Sequence, residues 1–311
     1  MPVSAASAVV TRFAPSPTGR LHLGHAFSAL LNARFAAEHG GRFLLRIEDI
    51  DATRCRAELI DGIFEDLRWL GLGWEEPVRR QSRHMADYRR ALDRLESLGL
   101  LYPCFCTRKD IAAEVARSGA APHGPDGPAY PGLCKHLSAD EQQARMAAGT
   151  PYALRLHTDR ALALTGPLTW QDAEAGEVEA APLLLGDVVL ARKETPTSYH
   201  LAVTVDDALQ GITHVIRGQD LFHATHIHRL LQALLGLPTP RYRHHRLLTD
   251  ENGQRLAKRA GAPALADLRA AGWTPADVLR RLTAGENPPP ACSSCCEERP
   301  ARPPVAKDKS T

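Results

Sequence analysis

Three absences narrow the problem before any motif is considered. An excess of one charge is missing: 38 Lys and Arg against 36 Asp and Glu leave a formal net charge of +2 over 311 residues, with a pI near 8.2. Such a chain carries no global field for a polyanion, so any nucleic-acid contact has to come from local basic patches. No uninterrupted apolar run reaches bilayer-spanning length, and the first seven residues have neither the basic start nor the apolar centre of a secretion signal. A soluble cytoplasmic protein without membrane contact is expected. A paired cysteine framework is missing too. Seven cysteines fall as Cys104, Cys106 and Cys134, then Cys292, Cys295 and Cys296, with Cys55 alone; this odd, clustered set suits a metal or free thiols better than disulfides. No internal repeat is visible.

What is present is enough chain for a full core, in two domains or in one with a large insertion. The most informative stretch runs from Arg12 to His25 and joins an apolar strand (Val9 to Ala14) to a helix through a Pro/Gly turn. A helix starting near His22 leaves unpaired backbone N–H groups and a partial positive charge at its first turn. His22 and His25 lie three apart and share a face, so the spacing predicts an anion site with two side-chain donors beside it. The helix carries Ala26, Phe27, Leu30, Ala33 and Ala37 and stops at Gly40-Gly41; Arg42 to Glu48 then reads as a second strand. The opening is β-α-β, a unit that binds ligands at the carboxyl ends of its strands, near which Arg12 and Glu48 lie.

Further on, helical spacing marks Ala57 to Leu70 and Met85 to Leu98, the latter stopped by Gly99. The organisation predicted is a first half of a nucleotide fold over residues 1–103, an insertion over 104–194, a second half over 195–262, a helical piece over 263–285 and a disordered tail over 286–311, which is Pro-rich and short of large apolar residues. Within the second half the pattern resumes around Tyr199 to Val205, with a strand at His214 to Arg217, a histidine-rich helix from about Leu221 to Leu235 and a strand near Arg241 to Leu248.

The run from Arg12 to His25 resembles the HIGH motif of class I aminoacyl-tRNA synthetases, and Arg12 to Gly19 resembles the segment typical of their glutamyl and glutaminyl branch. The resemblance implies an α/β fold: a Rossmann-like, parallel-sheet nucleotide-binding core with a zinc-bearing insertion and a small C-terminal helical piece. It implies catalytic roles for His22 and His25, and a Gly24 that leaves room for the adenine ring against the helix backbone, where a side chain would block the approach. Leu247 to Arg259 resembles the KMSKS loop, with Arg255-Leu-Ala-Lys258-Arg259 standing where Lys-Leu-Ser-Lys-Arg is common. On that match Lys258 is catalytic and contacts ATP phosphates, and His22, Gly24, His25, Arg255 and Lys258 bind ATP, with Mg2+ accompanying the nucleotide. Two positions depart from the pattern. Arg255 keeps the charge of the usual lysine, whereas Ala257 lacks the hydroxyl of the usual serine.

Glutamate brings two carboxylates and an ammonium, so its pocket needs fixed cations, at least one anion and a few neutral hydrogen-bonding groups. Arg12, Ser16, Glu48, Tyr199 and Arg217 meet that inventory. The resemblance puts the substrate glutamate on these positions and on Phe13, Ala14 and Pro15 between them. Taken alone, Arg12 and Glu48 also suit an ion pair across adjacent strands. Arg217 is expected to discriminate best, because a guanidinium matches a carboxylate and mismatches the amide of glutamine.

Cys104, Cys106 and Cys134 suit a tetrahedral, structural Zn2+. Chemistry favours His123 or His136 as fourth ligand; resemblance to the glutamyl-queuosine branch points instead to Tyr130. About 50 residues follow the KMSKS-like loop, too few for the helical domain with which a glutamyl-tRNA synthetase reads the anticodon. From Thr11 to Leu282 the resemblance is to the truncated branch that joins L-glutamate to queuosine in the anticodon loop of tRNA(Asp). It implies a monomeric ligase that forms glutamyl-adenylate from glutamate and ATP without tRNA and then transfers glutamate to queuosine-bearing tRNA(Asp). The alternatives are a glutamyl-tRNA synthetase charging a tRNA 3′ end and a noncatalytic tRNA-binding relative. In the first reading the basic run Arg241 to Arg246 is a candidate phosphate contact.

Overall fold

Strand β1 (Val10–Phe13) is buried at every position, as its apolar run requires of a central parallel strand. Helix α1 (Leu23–Glu38) follows it and ends on Gly40, whose φ of +58° lets the amides of Gly40 and Gly41 close back on the carbonyls of Ala37 and Ala36. Only glycine enters that left-handed turn without strain. Strand β2 (Arg42–Ile47) then pairs in parallel with β1, completing the expected β-α-β unit. Phe43, Leu45 and Ile47 alternate onto one face with α1 and with α2 (Ala57–Trp69). Leu44 faces the other core, with α3 (Met85–Ser97). Strand β3 (Glu75–Arg80) extends the sheet beyond β2.

The structure, a computed structural model, describes residues 8–118, 123–124, 127–128, 130–192, 195–249 and 263–283. Arg255, Ala257 and Lys258 of the basic loop lie outside the described residues, as do Cys292, Cys295 and Cys296 and all of 286–311.

After β4 (Leu101–Cys104) come α4 (Arg108–Ser118), the short β5 (His123–Gly124) and β6 (Gly127–Pro128), α5 (Ala139–Ala147), β7 (Ala153–Leu156) and α6 (Thr158–Thr165). The hairpin β8 (Thr169–Asp172) and β9 (Gly176–Glu179) and strand β10 (Val189–Arg192) follow. β4, β7 and β10 make an antiparallel sheet of their own. The β8–β9 hairpin does not join it. Although it falls within residues 104–194, β8 pairs in parallel with β12 (Arg241–His245) in a sheet ordered β11-β12-β8-β9, where β11 is His214–Gly218. This strand, ending on Asp172, ties the middle segment directly to the parallel pair β11 and β12.

Helices α7 (Tyr199–Leu209) and α8 (Ala224–Leu235) pack against each other and against α3. The amide of Thr213 donates to the Val10 carbonyl at 3.0 Å, and the Val10 amide donates to Thr213 Oγ1 at 2.8 Å. The wholly buried Asn32 of α1 donates to the Ile216 carbonyl at 2.9 Å. β1 therefore stands between β2 and β11, and the strand order reverses there, which is where an open α/β sheet leaves a crevice at its carboxyl edge. The expected C-terminal helical piece is two helices, α9 (Leu265–Ala270) and α10 (Pro275–Thr283), which close the α1 and α2 face. No helix among the described residues is long and apolar enough to cross a membrane.

Candidate active site

At that crevice lies a cavity of about 360 Å3. Its walls hold Arg12, Phe13, Ala14, Pro15, Ser16, Glu48, Tyr199 and Arg217 together with His22, Gly24 and His25. Every residue expected to meet an amino acid, and every described residue expected to meet the nucleotide, borders this one space. Leu247 and Leu248 also line it, and Ala264 bridges His22 in antiparallel fashion. The described residues before 250 thus end at the cavity, and those from 263 onward resume beside His22.

The start of α1 differs from expectation in one respect. The Gly24 amide donates to His22 Nδ1 at 3.1 Å, and the His22 amide donates to His25 Nδ1 at 3.2 Å. These backbone donors are taken up by the imidazoles and are not left open for an anion. Since each Nδ1 accepts, the hydrogen of a neutral ring sits on Nε2, so each ring hands the donor function of the helix end to its far nitrogen. The two rings lie 3.9 Å apart between centroids. A Cβ on Gly24 would stand 3.0 Å from His22 Cε1; glycine therefore serves the packing of the histidine ring as well as any approach from the cavity.

Arg12 and Glu48 do not pair with each other. Arg12 Nε and Nη2 donate to the two oxygens of Asp207 on α7 at 3.0 and 3.3 Å, and Glu48 accepts from Arg46 Nη2 at 3.1 Å. Arg46 also donates to Asp207 at 2.7 Å and lies 3.8 Å from Asp206. Asp206 in turn holds Arg79, Gln81 and Tyr88, and Arg79 reaches Asp87. Burial alone would raise the Asp207 carboxyl, but Arg12 and Arg46 reverse this and hold it below the ordinary range. At Glu48 burial dominates over Arg46 and Arg12, and its carboxyl is pushed up. Burial and the same two arginines thus move the two carboxyls in opposite directions, Asp207 down and Glu48 up.

Arg217, 5 % exposed, is built differently. Its nitrogens meet His244 Nε2 at 3.2 Å, Tyr199 Oη and His228 Nδ1 at 3.3 Å each, the Leu221 carbonyl at 3.1 Å and Thr225 Oγ1 at 2.7 Å. Among the described residues no carboxylate lies within 4.0 Å of it. Burial followed by the field of Arg217 lowers His228 well below its ordinary value, and the same two causes bring His200 and His244 down to about 4. A buried cation surrounded by neutral groups is costly unless an anion arrives.

The three expected thiols do converge. Cys106 Sγ is 3.4 Å from Cys134 Sγ, and all three sulfurs lie within 4.8 Å of one another, close to the roughly 3.8 Å edge of a tetrahedron with 2.3 Å Zn–S bonds. Tyr130 Oη sits 3.3 Å from Cys104 Sγ and 3.6 Å from Cys106 Sγ. The Arg155 guanidinium lies over the Tyr130 ring, 3.7 Å from its centroid, while burial and the bonds to Cys104 and Cys106 push the Tyr130 hydroxyl up. Burial pushes the Cys106 thiol up to about 12, whereas hydrogen bonds from Tyr130 and Arg155 outweigh burial at Cys104 and lower it. This donor set fits a divalent, thiophilic ion. His136 is exposed and outside the cluster, and the His123 side chain is outside the described residues.

Residue-by-residue reading missed Arg46, Asp206, Asp207, Asp172, Thr225, His228 and His244. A signal existed for some. Arg46 interrupts the apolar Phe43 to Ile47, and Asp206-Asp207 follow the wholly buried Leu201 to Val205. Charges set in apolar runs point inward to partners.

Residues 8–298 match the family described as tRNA synthetases class I (E and Q), catalytic domain. The chain is 52% identical over 281 residues to the glutamyl-Q tRNA(Asp) synthetase of Rhodobacter capsulatus, covering 88% of this chain and 99% of that one. It is 45% identical over 282 residues to the glutamyl-Q tRNA(Asp) synthetase of Symbiobacterium thermophilum, covering 87% and 84%. Among solved structures it is similar to glutamate-tRNA synthetase from Elizabethkingia anophelis, with a TM-score of 0.69 and 30% identity over 82% of this chain. It spans 53% of that chain, about half its length.

Proposed function

The chain belongs to the family of class I tRNA synthetases of glutamate and glutamine, and from that membership we propose that it activates L-glutamate with ATP and transfers it to queuosine in the anticodon loop of tRNA(Asp). The observation that carries the reading is the shared cavity. Arg12, Ser16, Glu48, Tyr199 and Arg217 border it together with His22, Gly24 and His25, and the buried Arg217 has no carboxylate partner among the described residues. Relatives named for glutamyl-Q tRNA(Asp) synthesis, one aligned over 99% of its length, support the choice of acceptor.

In the first step a glutamate α-carboxylate oxygen attacks the α-phosphorus of ATP and pyrophosphate leaves, without tRNA. Negative charge spreads over the phosphoryl oxygens, so the protein's task is positioning and charge stabilisation. His22 and His25 supply Nε2–H donors from the helix start, and Lys258, with Arg255, supplies positive charge from the KMSKS-like loop; Mg2+ is ATP's companion. In the second step a hydroxyl of the queuosine cyclopentenediol attacks the activated carbonyl, gives up its proton, and AMP leaves. Cys104, Cys106, Cys134 and Tyr130 would hold Zn2+, whose part is to cross-link the middle segment.

The test is ATP with labelled glutamate and two acceptors, tRNA(Asp) carrying queuosine and the same tRNA with unmodified guanosine. Label on the first alone supports the proposal. Label on both, as a synthetase charging 3′ ends would give, or no glutamate-dependent pyrophosphate exchange, as a noncatalytic relative would give, refutes it.

A further inference from the structure

The first strand of the hairpin that the middle segment sends into the core ends at Asp172, and this carboxylate reaches Arg217 of the amino-acid cavity through one intermediary. Asp172 Oδ1 accepts from the amides of Glu174 and Ala175 at 2.9 and 3.0 Å, which fixes the carboxylate in the turn. Its Oδ2 lies 2.8 Å from His244 Nδ1 on the neighbouring strand β12, with both side chains 2 % exposed. His244 is the cross-strand partner of Arg217, and Arg217 Nε donates to His244 Nε2 at 3.2 Å.

The hydrogen positions follow from this chain of contacts. A carboxylate only accepts, so the hydrogen of the neutral ring resides on Nδ1, and Nε2 keeps its lone pair toward Arg217. Burial opposes charge on Asp172, yet the bonds from Ala175, His244 and Glu174 hold its carboxyl below the ordinary range. The inner edge of the guanidinium is anchored by this relay at Nε and by Thr225 and the Leu221 carbonyl at Nη2. The two bonds at Nη1, to Tyr199 and His228, are the longest at 3.3 Å, and Tyr199 lines the cavity. That corner is the one a ligand oxygen can take over.

We propose that Asp172 and His244 are positioning residues that fix the orientation of Arg217 and thereby set the preference of the cavity for a dicarboxylic amino acid over its amide. The inference rests on the reading of Arg217 as a substrate anchor. A held guanidinium presents its Nη1 N–H groups at fixed points, where either oxygen of a carboxylate can accept but a carboxamide can accept only with its oxygen and clashes with its NH2; a guanidinium free to turn relaxes that mismatch.

The decisive variant is Asp172→Asn, which keeps the shape. With its oxygen retained by the two turn amides, the new NH2 faces His244 Nδ1, moves the ring hydrogen to Nε2, and sets a donor against the Arg217 Nε donor. The expected result is a glutamate KM raised about 10- to 100-fold in pyrophosphate exchange, with a matching fall in the glutamate-to-glutamine ratio of kcat/KM and an unchanged ATP KM. Nitrogen-15 spectra of the full chain should show the His244 hydrogen on Nδ1 in the parent and on Nε2 in the variant. The single variant His244→Gln, whose carboxamide can donate its NH2 to Asp172 and turn its oxygen toward Arg217, should keep most of the selectivity. An Asp172→Asn protein that keeps its glutamate KM and its selectivity, that loses ATP affinity by the same factor, or that keeps the His244 hydrogen on Nδ1 overturns the proposal. Absence of glutamate-dependent exchange in the parent sinks the proposed function instead, and the nitrogen spectra then decide the relay by themselves.

Discussion

Replacing Asp207 by Asn tests the ion network behind the cavity. Asp207 accepts three hydrogen bonds, two from Arg12 and one from Arg46. Arg46 keeps Glu48 at 3.1 Å and Asp206 at 3.8 Å after the change, so its charge stays compensated. Arg12, 4 % exposed, has no other carboxylate within 4.0 Å among the described residues. The loss therefore falls on Arg12. Stranding one buried charge costs about 3–5 kcal/mol; because Arg12 borders a cavity large enough for water, the lower end, about 3 kcal/mol, is expected. Urea unfolding followed by tryptophan fluorescence at pH 7 measures it, and the melting temperature should fall by roughly 5 °C. The pH dependence has a definite sign. The Asp207 carboxyl is depressed below its usual 3.8, so its stabilisation is complete above that value and disappears as pH falls through the lower folded value. The gap between parent and variant should close on acidification. A loss under about 1 kcal/mol at pH 7, or a gap that is unchanged in acid, would refute the reasoning that Asp207 is the counter-ion of Arg12.

Four further outcomes are expected. Lys258→Ala should slow glutamate-dependent pyrophosphate exchange by orders of magnitude while leaving the circular dichroism spectrum and melting temperature unchanged; normal exchange would remove the basic loop from the mechanism. Cys134→Ser should lower zinc below one equivalent per chain by mass spectrometry and lower the melting temperature, because one of three converging thiols is lost. Acidification should destabilise the parent between about pH 6.5 and 4: His200 and His244 titrate near 4 in the fold and His228 well below its usual value, so the unfolded chain binds more protons there, at about 1.4 kcal/mol per pH unit for each histidine. Unfolding free energies flat across that window would contradict it. Gly41→Ala should cost about 1–3 kcal/mol in urea unfolding, since a Cβ there collides with the Val9 carbonyl.

The local features were legible in the sequence because each is written in neighbouring residues. The β-α-β opening, the helix stops at Gly40 and Gly99, and the histidines three apart at the helix start all follow from short-range periodicity and capping. The family motifs, read residue by residue, named Arg12, Ser16, Glu48, Tyr199 and Arg217, and the fold gathers these around one cavity. The three thiols and Tyr130 were likewise named before they were seen together.

The partners of those residues could not be read in the same way. Arg12 finds Asp207 across 195 residues, and His244 finds Asp172 across 72. Nothing in the spacing of an aspartate reveals which distant cation it will meet, and the hairpin carrying Asp172 lay in a segment that composition assigned to an insertion. Sequence named the expected substrate-binding groups that the cavity contains, though not Asp220 or Ser28 beside them. Only the tertiary structure decided their charge states and orientations, because desolvation and the geometry of a hydrogen bond exist only after packing has brought separate strands side by side.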